Sequence, residues 1–211
     1  MKSPLEDTIW GSQYGSCAVV RETFDRIGPE YHRAIMASGV PARAAACLMP
    51  FLDADAHGID FGCGSGAMGL ALAGAGLRRP LDGLDLSPGM LDLAQQTRCY
   101  GTLLRANFLV PEERPPLPAS YDFAVTLGLI GDYVPYYVAL PALAAAIRPG
   151  ALVGFGVEPK STPEHPLRKL AGELGLGLLA EEILSIPQSG LEQETYYFFV
   201  ARKGPRGSGW G

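Results

Sequence analysis

The stretch richest in chemical potential is Gly58-Ile59-Asp60-Phe61-Gly62-Cys63-Gly64-Ser65-Gly66. An apolar run carries one acid near its end and leads into Gly-x-Gly-x-Gly. Glycines so spaced let the chain turn sharply and let a ligand rest against backbone N–H groups. A second acid, Asp85, follows 25 residues after Asp60, at the end of the next apolar run. Outside the carboxyl end of a strand, such an acid can accept from two ribose hydroxyls. Together the two segments point to a bound nucleoside.

Two nucleosides suit this pattern. One is NAD, because Gly64-x-Gly66-x-x-Gly69 satisfies the dinucleotide fingerprint with an acid about 20 residues on. The other is S-adenosylmethionine (SAM). Asp60 separates them by charge: it would repel a pyrophosphate beside the loop, and would favour the sulfonium and ammonium of SAM.

These residues need elements to position them. Short apolar runs alternate with helical stretches from His57 onward, the pattern of βαβ units on a parallel sheet. Strands are predicted at 57–61, 81–86, 102–106, 121–127 and 151–157, and several are apolar on nearly every residue, as strands covered on both faces should be. Helices are predicted at 65–73, 88–97 and 135–147. Ser87 before Pro88 supplies an N-cap and a proline at the first helical position. Two helical patterns, 18–37 and 41–51, form an N-terminal cap. After a short helix at 166–174 come strands at 178–185 and 195–202, joined by too few residues for a crossover and therefore antiparallel. The expected fold is α/β: a Rossmann-like, doubly wound, seven-stranded sheet, mostly parallel with an antiparallel C-terminal hairpin. The expected organisation is a loose lead-in over 1–16, one domain over 17–202 and a disordered tail over 203–211.

Composition narrows the class. The chain has 211 residues with a net charge of −5, which argues against a protein held on nucleic acid by bulk positive charge. Cys17, Cys47, Cys63 and Cys99 show neither zinc spacing nor a disulfide framework. No apolar run reaches the ~18 residues of a membrane span, and Met1–Tyr14 lacks the apolar core of a signal peptide. A cytoplasmic location with no nucleic-acid or membrane partner is expected, and a homodimer is left open.

On Asp60-Phe61-Gly62-Cys63-Gly64-Ser65-Gly66 and Leu84-Asp85-Leu86-Ser87-Pro88-Gly89-Met90-Leu91, the sequence resembles the class I SAM-dependent methyltransferases. Arg148-Pro149-Gly150-Ala151-Leu152-Val153 adds a turn from helix into the fifth strand. Phe24-Asp25-Arg26-Ile27-Gly28-Pro29-Glu30-Tyr31 looks like the first helix of small-molecule members. The resemblance spans about 22–202. It implies transfer of a methyl group from SAM to a small organic acceptor by in-line displacement, leaving S-adenosylhomocysteine (SAH). It also implies roles. Gly62, Cys63, Gly64 and Gly66 form the turn at the methionine end, Cys63 as a small filler. Asp60 reaches the amino group. Asp85 binds the ribose, and Leu86 and Met90 pack on adenine. Asn107-Phe108 stands where the family usually has an acid, and the Asn107 amide oxygen can still accept from the adenine amino group. Leu127 and Gly128 flank the methyl group, and Tyr31 either packs or closes over the ligand.

A base is needed only if the acceptor must lose a proton before attack. The candidates are Tyr133, His32 and Asp132. His57 and His165 read as structural. The Asn/Asp-Pro-Pro-Tyr/Phe loop of amino-methylating enzymes is absent, Thr126-Leu127-Gly128-Leu129 standing there. The paired glutamates of arginine methyltransferases are also absent. A small-molecule acceptor remains by elimination. The competing readings are an NAD-dependent oxidoreductase, which lacks a hydride-chemistry set, and a non-catalytic SAM-binding module.

Overall fold

The structure is a computed structural model and describes residues 17–131, 133–158, 164–186 and 194–204. Two helices lead: α1 (Cys17–Ala37) and α2 (Val40–Leu48), the latter running into a 3-10 turn, Met49–Phe51. The sheet then forms with its helices, as β1 (Gly58–Phe61), α3 (Ala67–Gly74), β2 (Leu81–Asp85), α4 (Pro88–Gln96), β3 (Tyr100–Arg105), β4 (Tyr121–Ile130), α5 (Tyr136–Ala146), β5 (Ile147–Val157), α6 (Glu164–Glu173), β6 (Leu176–Ile186) and β7 (Glu194–Lys203). The seven strands lie in the order β3-β2-β1-β4-β5-β7-β6, with β7 antiparallel to both its neighbours. This is the doubly wound sheet that the alternation predicts, and its strand order reverses between β1 and β4.

The central strands β1, β4 and β5 are buried on both faces, as a covered parallel sheet requires, whereas the edge strand β3 is mostly exposed. All four residues of β1 are buried. Phe61, Phe123, Phe155, Phe198 and Phe199 are among the largest fully buried side chains. Each contributes about 1.5–3 kcal/mol by leaving water. Helix α4 begins as the Ser87-Pro88 pair predicts: Ser87 Oγ accepts the Met90 amide at 3.0 Å.

Some boundaries differ from expectation. Arg148-Pro149-Gly150 is not a free turn. β5 already pairs at Ile147 with Tyr121, and regular pairing resumes at Leu152 opposite Phe123, so the triplet is accommodated as an irregularity within the strand. Helix α3 starts at Ala67, because Ser65 and Gly66 still belong to the glycine turn. Lys203 belongs to β7 rather than to a disordered tail: it closes the strand, and its Nζ donates to the carbonyls of Ala144 and Ile147 at 2.6 and 2.8 Å. The lead-in 1–16 and the rest of the tail, 205–211, lie outside the described residues. Among the described residues no single helix is long and apolar enough to cross a membrane.

A polar cluster closes the amino edge of the sheet. His57 Nε2 and the Tyr121 hydroxyl meet Asp82 Oδ2 at 3.2 and 2.8 Å, and Arg148 Nε donates to Asp122 at 2.8 Å. His57 thus ties strand starts together, at the end opposite the glycine loop.

Candidate ligand site

A cavity opens at the carboxyl ends of β1, β2 and β4, between the sheet and α1, with Gly62, Gly64, Asp85, Leu86, Asn107 and Gly128 on its wall. This is the reversal point of the strand order, where open α/β sheets bind ligands. Of the residues singled out from sequence, Tyr31, Met90, Phe108, Leu127 and Tyr133 also face it.

The glycine loop and the end of β2 are held as one unit. Asp85 Oδ2 accepts the Gly64 amide at 2.8 Å, and Oδ1 accepts the Ser87 amide at 2.9 Å. The Gly62 and Cys63 amides both donate to the Leu84 carbonyl, at 2.7 and 2.9 Å. Burial pushes the Asp85 pKa above the ordinary carboxylate value, the N–H groups of Ser87, Gly64 and Leu86 oppose that, and the charge of Asp25 adds to it. Gly64 has φ +50, and a Cβ added there would meet no atom within 4 Å, so its face is open space at the cavity.

Asp60 stands elsewhere. It is 1% exposed, it is not on the cavity wall, and its Oδ2 accepts the Tyr100 hydroxyl at 2.7 Å. The same hydroxyl accepts the Gly69 amide at 3.1 Å. Burial pushes the Asp60 carboxyl up to about 7, against the hydrogen bond from Tyr100 and with a further upward push from Asp85. The acid therefore braces the glycine loop and the first turn of α3 from behind. The charge argument for SAM over NAD loses its force, because this carboxyl is withdrawn from the cavity and only partly ionised near neutrality.

Cys63 and Gly66 also lie behind the loop. Cys63 is 5% exposed, and burial raises its thiol pKa well above the ordinary value. A Cβ at Gly66 would approach Ala94 Cα to 3.0 Å, so Gly66 lets the loop close on α4. His32 is also off the wall: its Nδ1 lies 2.8 Å from Ser65 Oγ. Asp132 lies outside the described residues.

Helix α1 supplies part of the wall that the motifs do not reveal. Cys17, Val20, Arg21, Phe24 and Tyr31 face the cavity from it. Their spacing puts them on one helical stripe, which was the available signal. Phe24 lies between two tyrosine rings, edge-on to Tyr31 at 5.4 Å and to Tyr133 at 5.5 Å. A Cβ at Gly128 would lie 3.9 Å from the Tyr31 hydroxyl, which brings Tyr31 across the cavity to the end of β4.

Residues 59–150 match the model of a family described as a methyltransferase domain. No curated protein matches the sequence. Among solved structures, the chain is similar to the SAM-bound magnesium protoporphyrin IX methyltransferase of Synechocystis PCC 6803, with TM-score 0.69, 19% identity, and coverage of 89% of this chain and 97% of that one. It is also similar to a TehB-like SAM-dependent methyltransferase from Corynebacterium glutamicum, with TM-score 0.64, 19% identity, and coverage of 85% and 97%. A third similar structure is the [4+2]-cyclase SpnF, with TM-score 0.66, 14% identity, and coverage of 89% and 97%. At these identities the structures speak for the fold alone. Residues 59–150 thus match a methyltransferase domain, and the chain has the fold of SAM-dependent methyltransferases of known structure.

Proposed function

We propose that the enzyme methylates a small, largely apolar organic acceptor in the cavity beneath α1. The observation that carries this reading is the meeting of two walls in one cavity: the glycine loop with Asp85, and the aromatic group Phe24, Tyr31 and Tyr133. A nucleoside needs the first wall; a flat apolar acceptor suits the second.

The residues present fit the cofactor. Gly64 offers a backbone cradle that any Cβ would fill. Asp85 brings acceptor oxygens to the end of β2, and Leu86, Met90 and Phe108 give apolar surface for a purine. We assign Gly62 and Gly64 to the methionine end, Asp85 to the ribose, Asn107 to the adenine edge, and Leu127 and Gly128 to the neighbourhood of the methyl group. Asp60, Cys63 and Gly66 support the loop from behind. SAM supplies a methyl group on a sulfonium, which is already a good leaving group. The chain's own task is alignment and exclusion of water, effects that can supply up to roughly 7–11 kcal/mol of a barrier.

Tyr133 is the group we place against the acceptor, to orient its nucleophilic atom or take its proton. His32 is engaged with Ser65 and is not assigned to proton transfer. The similarity to a cyclase gives one specific second reading, in which the fold binds a ligand without transferring a methyl group. Methyl-labelled SAM incubated with a cell extract separates the readings. Label in the small-molecule filtrate supports the proposal, label in macromolecules overturns the acceptor class, and SAH binding without transfer supports the second reading.

A further inference from the structure

Helix α1 is a poor helix by its own sequence. Gly28 and Pro29 stand in its interior. Glycine there costs roughly 0.5–1 kcal/mol against alanine. Proline has no N–H to give the carbonyl four residues back, which is that of Asp25. At Gly28 the helix packs tightly on α4, since a Cβ there would lie 2.8 Å from Leu93 Cδ1 and 3.6 Å from Met90 Sδ. The order of α1 therefore comes from docking rather than from propensity.

Two polar side chains complete that docking, and neither is on the cavity wall. Asp25 Oδ1 accepts the Ser87 hydroxyl at 2.6 Å and the Gly89 amide at 2.9 Å. Ser87 is the N-cap of α4, and its own amide donates to Asp85. His32 bonds Ser65 of the glycine loop at 2.8 Å. Seven residues apart, Asp25 and His32 are offset by only about 20° around the helix, on a stripe beside the one that faces the cavity. One stripe thus builds the wall, and the next fastens it to both loops that bear the candidate ligand groups.

We propose that Asp25 and His32 are positioning residues that latch α1 over the site, so that helix closure and ligand occupancy strengthen each other. The proposal rests on the cofactor reading above. Coupling of this kind is reciprocal: what loosens the helix weakens the ligand, and the ligand tightens the helix.

The test compares wild type with Asp25→Ala, Asp25→Asn and His32→Ala. It reads SAH affinity by calorimetry and tryptic cleavage at Arg26, with and without SAH. Asp25→Ala and His32→Ala should each weaken SAH by about threefold to tenfold, the worth of one or two exchanged hydrogen bonds. Each should speed cleavage in α1 and raise the KM for SAM with kcat at saturation little changed. Asp25→Asn keeps an oxygen that accepts from Ser87 and Gly89, and should restore most of the affinity. Unchanged SAH affinity in either folded alanine variant overturns the latch. Should Asp25→Ala fail to fold, His32→Ala carries the same decision. A wild type that binds no SAH sinks the cofactor reading, and cleavage without ligand still judges the latch: equal rates in wild type and His32→Ala refute it.

Discussion

Asp85 Oδ2 accepts the Gly64 amide at 2.8 Å across 21 residues of chain, so the acid at the end of β2 and the turn after β1 are parts of one structure. Its other oxygen takes the Ser87 amide at the start of α4. Asp85 is therefore a brace for two loops as well as the candidate ribose acceptor.

Replacing that acid should show both duties. Asp85→Ala is expected to weaken SAH binding by roughly 1–3 kcal/mol, the usual loss when a buried charged hydrogen-bond partner is removed. Calorimetry on the folded variant measures this, and an affinity equal to wild type would remove Asp85 from the ligand site.

Asp60 makes stability depend on pH. Its folded-state carboxyl sits near 7, well above its ordinary value of 3.8. The folded protein therefore holds a proton that the unfolded chain has released in that window. The unfolded state binds fewer protons there, so stability falls as pH rises from about 4 to about 7, by on the order of 4 kcal/mol. Denaturant unfolding of wild type and Asp60→Asn at about pH 5 and about pH 8 tests the sign. The variant should lose most of this slope, and an equal slope in both proteins would show that Asp60 is not its source.

The glycines of the loop should separate in effect. Gly66→Ala drives a methyl group toward Ala94 Cα at 3.0 Å from a backbone with φ +86. It should cost roughly 2–4 kcal/mol of stability. Gly64→Ala meets no atom within 4 Å. It should cost only about 1–2 kcal/mol from the left-handed backbone. Its methyl group occupies ligand space, so SAH affinity should fall by about tenfold or more. Melting curves with and without SAH distinguish the two, and a Gly64→Ala protein that binds SAH normally would put the ligand off the loop.

Tyr133 tests the acceptor side. Tyr133→Phe keeps the ring against Phe24 and removes the hydroxyl. If that hydroxyl orients the acceptor or takes its proton, kcat should fall by about 100-fold while the KM for SAM holds. Steady-state kinetics with an identified acceptor decide it, and an unchanged kcat would leave Tyr133 as wall alone.

The sheet was readable because each strand is a short apolar run between turn residues, and because Ser87-Pro88 marks a helix start by its own chemistry. The place of Asp85 and Gly64 on the cavity wall was legible because backbone turns and sheet edges confine such residues. Asp60 was not, since a strand residue's face depends on the pleat, and its partner Tyr100 is 40 residues away. The His32 contact was not legible for a similar reason: its partner, Ser65, is 33 residues distant. The α1 wall shows in sequence only as a helical stripe, which marks a buried face without saying what it faces.

The most direct measurement is a crystal structure of the protein grown with SAH. The account predicts adenosine between α1 and the sheet, its ribose hydroxyls within about 3 Å of the Asp85 oxygens, and Gly64 against the methionine end. SAH bound elsewhere, or Asp85 turned away from it, would contradict the account.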